Sequence, residues 1–499
     1  MNILLVYPEV PATFWSFKHA LKFINIKSNL PPLGLLTIAP LLPPSWTKRL
    51  VDLNVTNLKD TDIEWSDYVF VSGMIVQKKS AMEVISKVKT FKKFVVAGGP
   101  LFTNNHTEFE GVDCFVLNEG EITIPIFLKD LENGNLKRMY SSLERPDVAL
   151  TPVPDWSLIK MNNYASMATQ ISRGCPFNCD FCDIIVMNGR VPRVKSPQQV
   201  IAEFDALYNA GWRGTLFIVD DNFIGNKVKV IEILKQIGTW MKIKNKPFAL
   251  YTEASINLSD DPEIMDLMRE ANFNSVFIGI ETPEEEGLKS CGKVQNTNKN
   301  LHDKIRILQN NGFQVQAGFI VGFDTDTPKT FDNMIKFIQT SGIVTAMVGL
   351  LTALPDTQLF KRLQQAGRIL KIPTGNNTDC TINFIPKMNV DSLIAGYKSV
   401  LSSIFSPKNY YQRVKTYLQE YRKYAKTPSL PFLTKVRALS GALWELGIRG
   451  QGKRHFWKLC IWTTFYRPGL LTEAISLSIY GYHYRKVLTS HKFPVGVAA

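Results

Sequence analysis

Six short apolar runs, at 168–172, 215–219, 248–252, 275–279, 314–321 and 346–351, constrain the fold more tightly than any other feature of the chain. Helical periodicity fills the gaps between them, as at 197–210, 228–241, 262–271 and 330–340. A strand that passes through a helix into the next parallel strand is wound right-handed, and six such units in a row predict a parallel partial TIM barrel, (β/α)6. Its active site is expected at the C-terminal ends of the strands, on the βα loops.

The barrel accounts for residues 165–382 of 499, and a chain of that length is expected to hold two to four domains. Residues 1–140 carry a second and looser alternation, with buried-strand runs at 2–7, 48–52, 68–72, 94–97 and 114–117. This predicts an α/β, Rossmann-like open parallel sheet whose ligands bind at the strands' carboxyl ends. The loops after Tyr7, Ser72 and Ala97 form that rim, and they include Gly73, Gly98-Gly99-Pro100 and, after the last run, Asn118-Glu119-Gly120-Glu121. A diglycine after a strand is also a plain tight turn, so these residues alone do not name a ligand. A linker at 141–164 contains Pro146, Pro152 and Pro154, and from 383 to 499 the pattern is mostly helical. There Phe432, Val436, Leu439, Leu443 and Leu446 form one apolar helical stripe, with Lys435 and Arg437 off it.

Composition matters in two places. Seven cysteines, sparse and odd in number, do not make a disulfide framework, and with no leader pattern at the start the chain reads as cytoplasmic and reduced. No apolar stretch reaches the ~20 residues of a membrane span. The net charge of +14 is local: residues 401–499 hold sixteen Lys and Arg against three Asp and Glu, leaving forty-two against forty-one in the first 400.

Chemistry concentrates in one segment. Directly after the first barrel strand stands Arg173-Gly-Cys-Pro-Phe-Asn-Cys-Asp-Phe-Cys182, with Cys175, Cys179 and Cys182 on a loop at the predicted catalytic face. Thiolates on a loop ligate iron–sulfur clusters. A closed zinc site needs a fourth ligand, and the nearest other cysteines, Cys114 and Cys291, lie more than 60 residues away in sequence. Three thiolates on a cubane leave one iron open for reaction. Cys291, Cys380 and Cys460 read as buried or incidental thiols.

This C-x3-C-x2-C pattern, with Phe181 before its last cysteine and a six-fold βα series around it, resembles the radical S-adenosylmethionine (SAM) superfamily. The resemblance implies a [4Fe-4S] cluster on Cys175, Cys179 and Cys182, SAM chelated to the open iron, and adenine beside Phe181. It also implies that cluster and cofactors carry the chemistry, so no catalytic side chain is assigned. At the end of strand two, Asp220, Asp221 and Asn222 replace the Gly-Gly-Glu stretch that holds SAM's ammonium in many members; a carboxylate suits a cation, although Asp221 and Asn222 also make ordinary helix caps. Glu253 and Glu281, after strands three and four, and Gly322, after strand five, complete the expected SAM set.

The resemblance extends to both flanks. Pro31-Pro-Leu-Gly-Leu35, Val51-Asp-Leu-Asn54 and the rim residues Ser72, Gly73, Gly98, Gly99, Pro100, Glu119 and Gly120 look like the cobalamin-binding domain that precedes the barrel in one large class. Asn383-Phe-Ile-Pro-Lys387 and Gly396-Tyr397 look like the C-terminal domain of unknown function of a subgroup similar to hopanoid C-2 methylase and bacteriochlorophyll side-chain methyltransferases. One departure is clear. The Asp-x-His-x-x-Gly pattern that places an imidazole on cobalt is absent from residues 1–140, which hold only His19 and His106, so cobalt is expected to lack a histidine ligand.

The implied reaction is cobalamin-dependent C-methylation of an unactivated carbon, with a flavodoxin- or ferredoxin-type reductant. A cobalamin-dependent radical cyclase or rearrangement stays open, as does a non-catalytic iron–sulfur electron carrier or cobalamin sensor. The tail interleaves Lys453, Arg454, Lys458, Arg467, Arg485 and Lys486 with Phe456, Trp457, Trp462, Phe465, Tyr466, Tyr480 and Tyr484. It reads as a cap on the barrel, as a peripheral anchor on the inner membrane surface serving a lipid or pigment substrate, or, least of all, as a nucleic-acid surface.

Overall fold

A computed structural model describes residues 1–371, 373, 375, 380–428 and 431–490; the last nine residues of the expected C-terminal domain lie outside it. The N-terminal sheet contains β1 (Asn2–Tyr7), β2 (Thr47–Asp52), β3 (Tyr68–Ser72), β4 (Phe94–Gly98), β5 (Cys114–Val116) and β6 (Met139–Tyr140), in the order β2-β1-β3-β4-β5-β6 and parallel throughout. Ile3, Leu4, Leu5 and Val6 are all fully buried because both faces of the sheet are covered, by α1 (Lys78–Thr90) and α2 (Pro100–Asn105) on one side and α3 (Gly120–Glu132) on the other. This double burial explains why the strands read as unbroken apolar runs.

In the barrel, β7 (Ser166–Thr169) is followed by a two-stranded antiparallel ribbon, β8 (Ser172–Arg173) with β9 (Arg193–Val194). Then come β10 (Thr215–Ile218), β11 (Ala249–Ala254), β12 (Phe273–Glu281), β13 (Gln314–Val321) and β14 (Ala346–Leu350). The order β14-β13-β12-β11-β10-β7 is parallel throughout and matches the six expected units. The crossover helices are α4 (Pro197–Asn209), α5 (Lys227–Ile243), α6 (Pro262–Glu270), α7 (Leu301–Asn310) and α8 (Pro328–Ser341). Several strand ends differ from the sequence reading by one or two residues, and the largest difference is at the first strand, which stops at Thr169 rather than at 172. The Asp220 carboxylate takes the Ile171 N–H (2.7 Å) and the Ser172 hydroxyl (2.7 Å), which turns the chain out of the sheet and starts the cysteine loop.

After α9 (Gln358–Gln365) the chain is helical, with α10 (Val390–Phe405), α11 (Pro407–Glu420), α12 (Phe432–Ala442), α13 (Lys453–Tyr466) and α14 (Leu471–Ser490). At Gly396, α10 meets α8 so closely that a β-carbon would lie 2.3 Å from the Phe331 ring, and the neighbouring Tyr397 hydroxyl donates to the Val348 carbonyl (3.3 Å). The Tyr484 ring on α14 stands 5.8 Å from that of Phe14, so barrel, tail and N-terminal segment share one core. The apolar stripe at 432–446 does not run along a single α-helix: it passes at Leu443 into a π-helical segment, Leu443–Ile448. Only Leu446 of the stripe is buried, while Phe432, Val436 and Leu439 are exposed. Among the described residues no helix is long and apolar enough to cross a membrane.

Candidate functional site

The C-terminal strand ends of both sheets face one cavity of about 2890 Å³. Ser72, Gly73, Gly98, Gly99, Pro100, Glu119 and Gly120 line it from the N-terminal domain; Phe181, Asp221, Glu253 and Glu281 line it from the barrel. It continues down the barrel lumen past Ala168, Phe217, Tyr251 and Gly318 to Trp212, Asn274 and Gln314 at the N-terminal strand ends, and residues of α12 and α14 also line it. Barrel interiors are ordinarily filled by large branched side chains. Here alanine and glycine at lumen positions leave room.

The cysteine loop forms part of the catalytic wall. Gly174, at φ +102°, lets the chain turn where a β-carbon would come 3.0 Å from the carbonyls of Gly189 and Val191, and its N–H donates to Asp221 Oδ2 (2.7 Å). The three thiols are close enough to influence each other's ionisation: burial raises all three, Cys182 to about 12, and the Lys293 ammonium opposes that rise. Amides also point at sulfur, Gln295 Nε2 at Cys179 Sγ (3.8 Å) and Asn222 Nδ2 at Cys175 Sγ (4.0 Å). Thiols that are buried at Cys179 and half-buried at Cys175 and Cys182, with a cation and amide donors beside them, will ionise on binding a metal cluster, so the donor chemistry fits an iron–sulfur centre. Cys291 is buried beside this loop, with its thiol directed at the Leu288 carbonyl (3.5 Å) and its pKa pushed up by burial to about 12.

The expected SAM residues divide into two groups. Phe181 lines the cavity with its ring edge-on to Phe323, centroids 6.3 Å apart. Asp221 also lines it, holding Asn188 Nδ2 (2.9 Å) besides Gly174. Among the described residues the Glu253 carboxylate has no hydrogen-bond or ion-pair partner, and burial with Asp221 close by pushes its pKa to about 7. Glu281 sits at φ +66° beside a bulge in β12 and pairs with Lys293 Nζ (2.7 Å). Burial acts to lower the Lys293 pKa, but the charges of Glu281 and Cys179 outweigh it and hold the ammonium above its ordinary range. Asp220, Asn222 and Gly322 lie behind the lining: Asp220 on β8, Asn222 accepting from Ser255 N (3.2 Å), and Gly322 against Leu351 and Leu393.

On the opposite wall Gly99 has φ +87°, and a β-carbon there would stand 2.4 Å from Ser72 Oγ; one on Gly98 would stand 2.5 Å from the Val116 carbonyl. Glycine is thus required here by the close packing of neighbouring strand ends, and Gly73, Gly98 and Gly99 offer backbone rather than side chains to the cavity. Glu119 and Glu121 reach across to the cysteine loop. Arg173 Nη1 binds Glu119 Oε2 (2.6 Å), its Nη2 binds Glu121 Oε1 (2.8 Å), and Arg193 Nη2 binds Glu119 Oε1 (2.7 Å). Glu119 thus reaches the cavity with its charge already matched. Neither histidine of this domain lines the cavity: the His19 ring lies against His483 on α14, and His106 against Phe115. Lys293 and Arg173 were not singled out in the sequence, since their partners lie 12 and more than 50 residues away.

Residues 169–338 match the Radical SAM superfamily, and residues 357–492 match a domain of unknown function (DUF4070). An uncharacterized methyltransferase of Synechocystis sp. is 40% identical over 489 residues, covering 97% of this chain and 91% of its own length. The hopanoid C-2 methylase of Rhodopseudomonas palustris is 33% identical over 474 residues, covering 92% of this chain and 89% of its own. In fold, the chain is similar to the radical SAM methyltransferase TsrM of Kitasatospora setae, solved with cobalamin and a [4Fe-4S] cluster: TM-score 0.63 at 13% identity, covering 98% of this chain and 99% of that one.

Proposed function

We propose that this chain, which belongs to the radical SAM superfamily, is a cobalamin-dependent C-methylase of an extended apolar molecule, a lipid or a pigment. The observation that carries the reading is the single cavity between two parallel sheets, with the cysteine loop on one wall and the glycine-bearing strand ends on the other. The names of the two relatives, both methyltransferases, support methyl transfer. Small-molecule pockets occupy ~300–1,000 Å³. A cavity of 2890 Å³ has room for more than one ligand.

Cys175, Cys179 and Cys182 hold the cluster, and Lys293 offsets its charge. Phe181 stacks on SAM's adenine, while Asp221 and Glu253 take its ammonium; Glu253 suits this because its carboxylate is otherwise unpartnered. Asp220, Asn222 and Gly322 position the loops that carry these groups. Ser72, Gly73, Gly98, Gly99, Pro100 and Gly120 receive cobalamin, with no histidine to ligate the cobalt. When bound, cluster and SAM supply a radical for C–H abstraction, and cobalamin supplies the methyl group. The chain's part is to align these groups and exclude water, with Phe217 and Tyr251 stacked at 4.6 Å to give the substrate an aromatic wall. A flavodoxin or ferredoxin delivers the electron, and the tail brings the enzyme to a membrane surface.

Anaerobic reconstitution followed by cofactor extraction tests this. The reading expects a stoichiometric cluster, bound cobalamin, and 5'-deoxyadenosine formed with SAM and dithionite. A protein that makes 5'-deoxyadenosine yet binds no cobalamin is a different radical enzyme.

A further inference from the structure

The hairpin of α12, the π segment and α13 presents outward what a soluble helix pair ordinarily buries. Phe432 is 77% and Leu433 79% exposed, and Val436, Leu439, Trp444 and Ile448 continue that surface. The pair is joined from inside, where the Trp457 indole donates to the Gly447 carbonyl (3.0 Å) and Leu446, Phe456 and Leu459 are buried. On the second helix Ile461 and Phe465 are 56% and 79% exposed, four residues apart on one face, with Tyr466 beside them. Exposed apolar side chains in this number on consecutive helices mark an interaction site.

Charge selects the partner. Residues 421–470 hold ten Lys and Arg and a single acid, Glu445. Arg449 stands 3.7 Å from that acid and the Tyr482 hydroxyl donates to it (3.4 Å), so it is not offered outward as a free charge. A second copy would set like charge on like charge. A single-stranded nucleic acid would use a groove of aromatic platforms, whereas here Phe432, Trp444, Phe465 and Tyr466 are interspersed with the aliphatic Leu433, Val436, Leu439, Ile448 and Ile461. Apolar side chains among basic ones, on helices of 11 and 14 residues that are too short to span, fit the interface of an anionic bilayer.

The cavity reaches this surface. Leu433, Lys435, Arg437 and Leu439 of α12 are among its lining residues, and Lys426, a few residues before α12, bonds Asn272 and Asn245 just ahead of the N-terminal ends of β12 and β11. We propose that the α12–α13 hairpin docks on an anionic lipid bilayer and that the barrel lumen opens beside it, so that an apolar substrate enters from the membrane at the N-terminal end of the barrel and reaches the cofactors through the lumen. The entry route rests on the methylase reading; the docking does not.

Flotation of the reconstituted full chain with vesicles tests the docking. Binding is expected with phosphatidylcholine vesicles containing phosphatidylglycerol, weakening ~10-fold or more between low salt and ~1 M salt. Phe432→Glu with Leu433→Glu should lower it ~10-fold or more, and so should Ile461→Glu with Phe465→Glu; these side chains are exposed, so circular dichroism should match the parent. Brominated lipid should quench tryptophan emission, and Trp444→Phe should remove part of that quenching. Absence of flotation at low salt overturns the proposal, as does undiminished flotation of both double variants. Concentration-dependent dimers that the same variants abolish, or preference for a single-stranded oligonucleotide over vesicles, would assign the surface to another partner. Flotation requires neither SAM nor turnover: a protein that floats but never methylates retires the methylase reading alone, and one that methylates detergent-dispersed substrate without floating retires the docking alone.

Discussion

Replacing Arg173 with Met removes a residue that ties the start of the cysteine loop to two carboxylates of the N-terminal domain. Its guanidinium is 13% exposed and bonds Glu119, Glu121 and Gln170 at once. After the change Glu119 keeps Arg193, but Glu121, with its side chain 4% exposed, keeps only the Thr151 hydroxyl (2.7 Å) and its own backbone N–H. Removing one partner of a buried pair costs about 3–5 kcal/mol, and the surviving bonds place this case near ~3 kcal/mol, or ~100-fold in a local opening equilibrium. Because a multidomain chain need not unfold in one step, the assay is hydrogen exchange of peptides covering 119–123 and 173–182. The sign with pH is fixed. Burial raises the Glu121 pKa, but Arg173 outweighs it and holds the carboxyl below its ordinary value, so the pair's contribution is complete above pH ~4.5 and is lost as pH falls below that. In Arg173→Met the lone buried carboxylate gains by protonation, so parent and variant should converge as the pH drops. Adding Glu121→Gln removes the unpaired charge and should restore most of the protection at neutral pH. Exchange as slow in Arg173→Met as in the parent, or no recovery in the double variant, would refute the reasoning.

Gly99→Ala places a β-carbon 2.4 Å from Ser72 Oγ at φ +87°, a strain of roughly 1–3 kcal/mol; cobalamin content should fall while the cluster's absorbance is retained. Glu253 has its carboxyl pKa raised by burial to about 7, so the apoprotein should lose stability as pH rises from ~4.5 through 7. Glu253→Gln should therefore raise the melting temperature at pH ~8 and leave it nearly unchanged at pH ~5; equal shifts at both would contradict the assignment. If Glu253 holds SAM's ammonium, SAM binding to the parent should also weaken as pH falls through about 7, and this step should vanish in the variant. His19→Ala and His106→Ala should leave the visible spectrum of bound cobalamin unchanged, because neither ring lines the cavity; a shift in either would place an imidazole on cobalt.

The strands were legible because parallel strands buried on both faces leave continuous apolar runs, and β13 was read to both its ends, Gln314–Val321. The end of the first barrel strand was not legible. Ile171 is apolar and continues the run, and what stops the strand is the Asp220 carboxylate, 49 residues on. The ribbon β8–β9 and the two-residue β6 are too short to leave a period. The cysteine triad could be found because its spacing is local. The pairs that complete the site, Arg173 with Glu119 and Glu121, and Lys293 with Glu281, join residues that only the fold brings together. The exposed half of the 432–446 stripe shows the same limit: periodicity finds an apolar face but does not say whether protein covers it.

The most direct test of the account is to incubate the reconstituted, cobalamin-loaded protein anaerobically with deuterated-methyl SAM and an apolar extract, and to follow the label by mass spectrometry. The account predicts a labelled methyl on carbon in a lipid or pigment, formed together with 5'-deoxyadenosine. Formation of 5'-deoxyadenosine with an altered but unlabelled product would contradict methyl transfer and assign the cavity to a radical rearrangement or cyclisation.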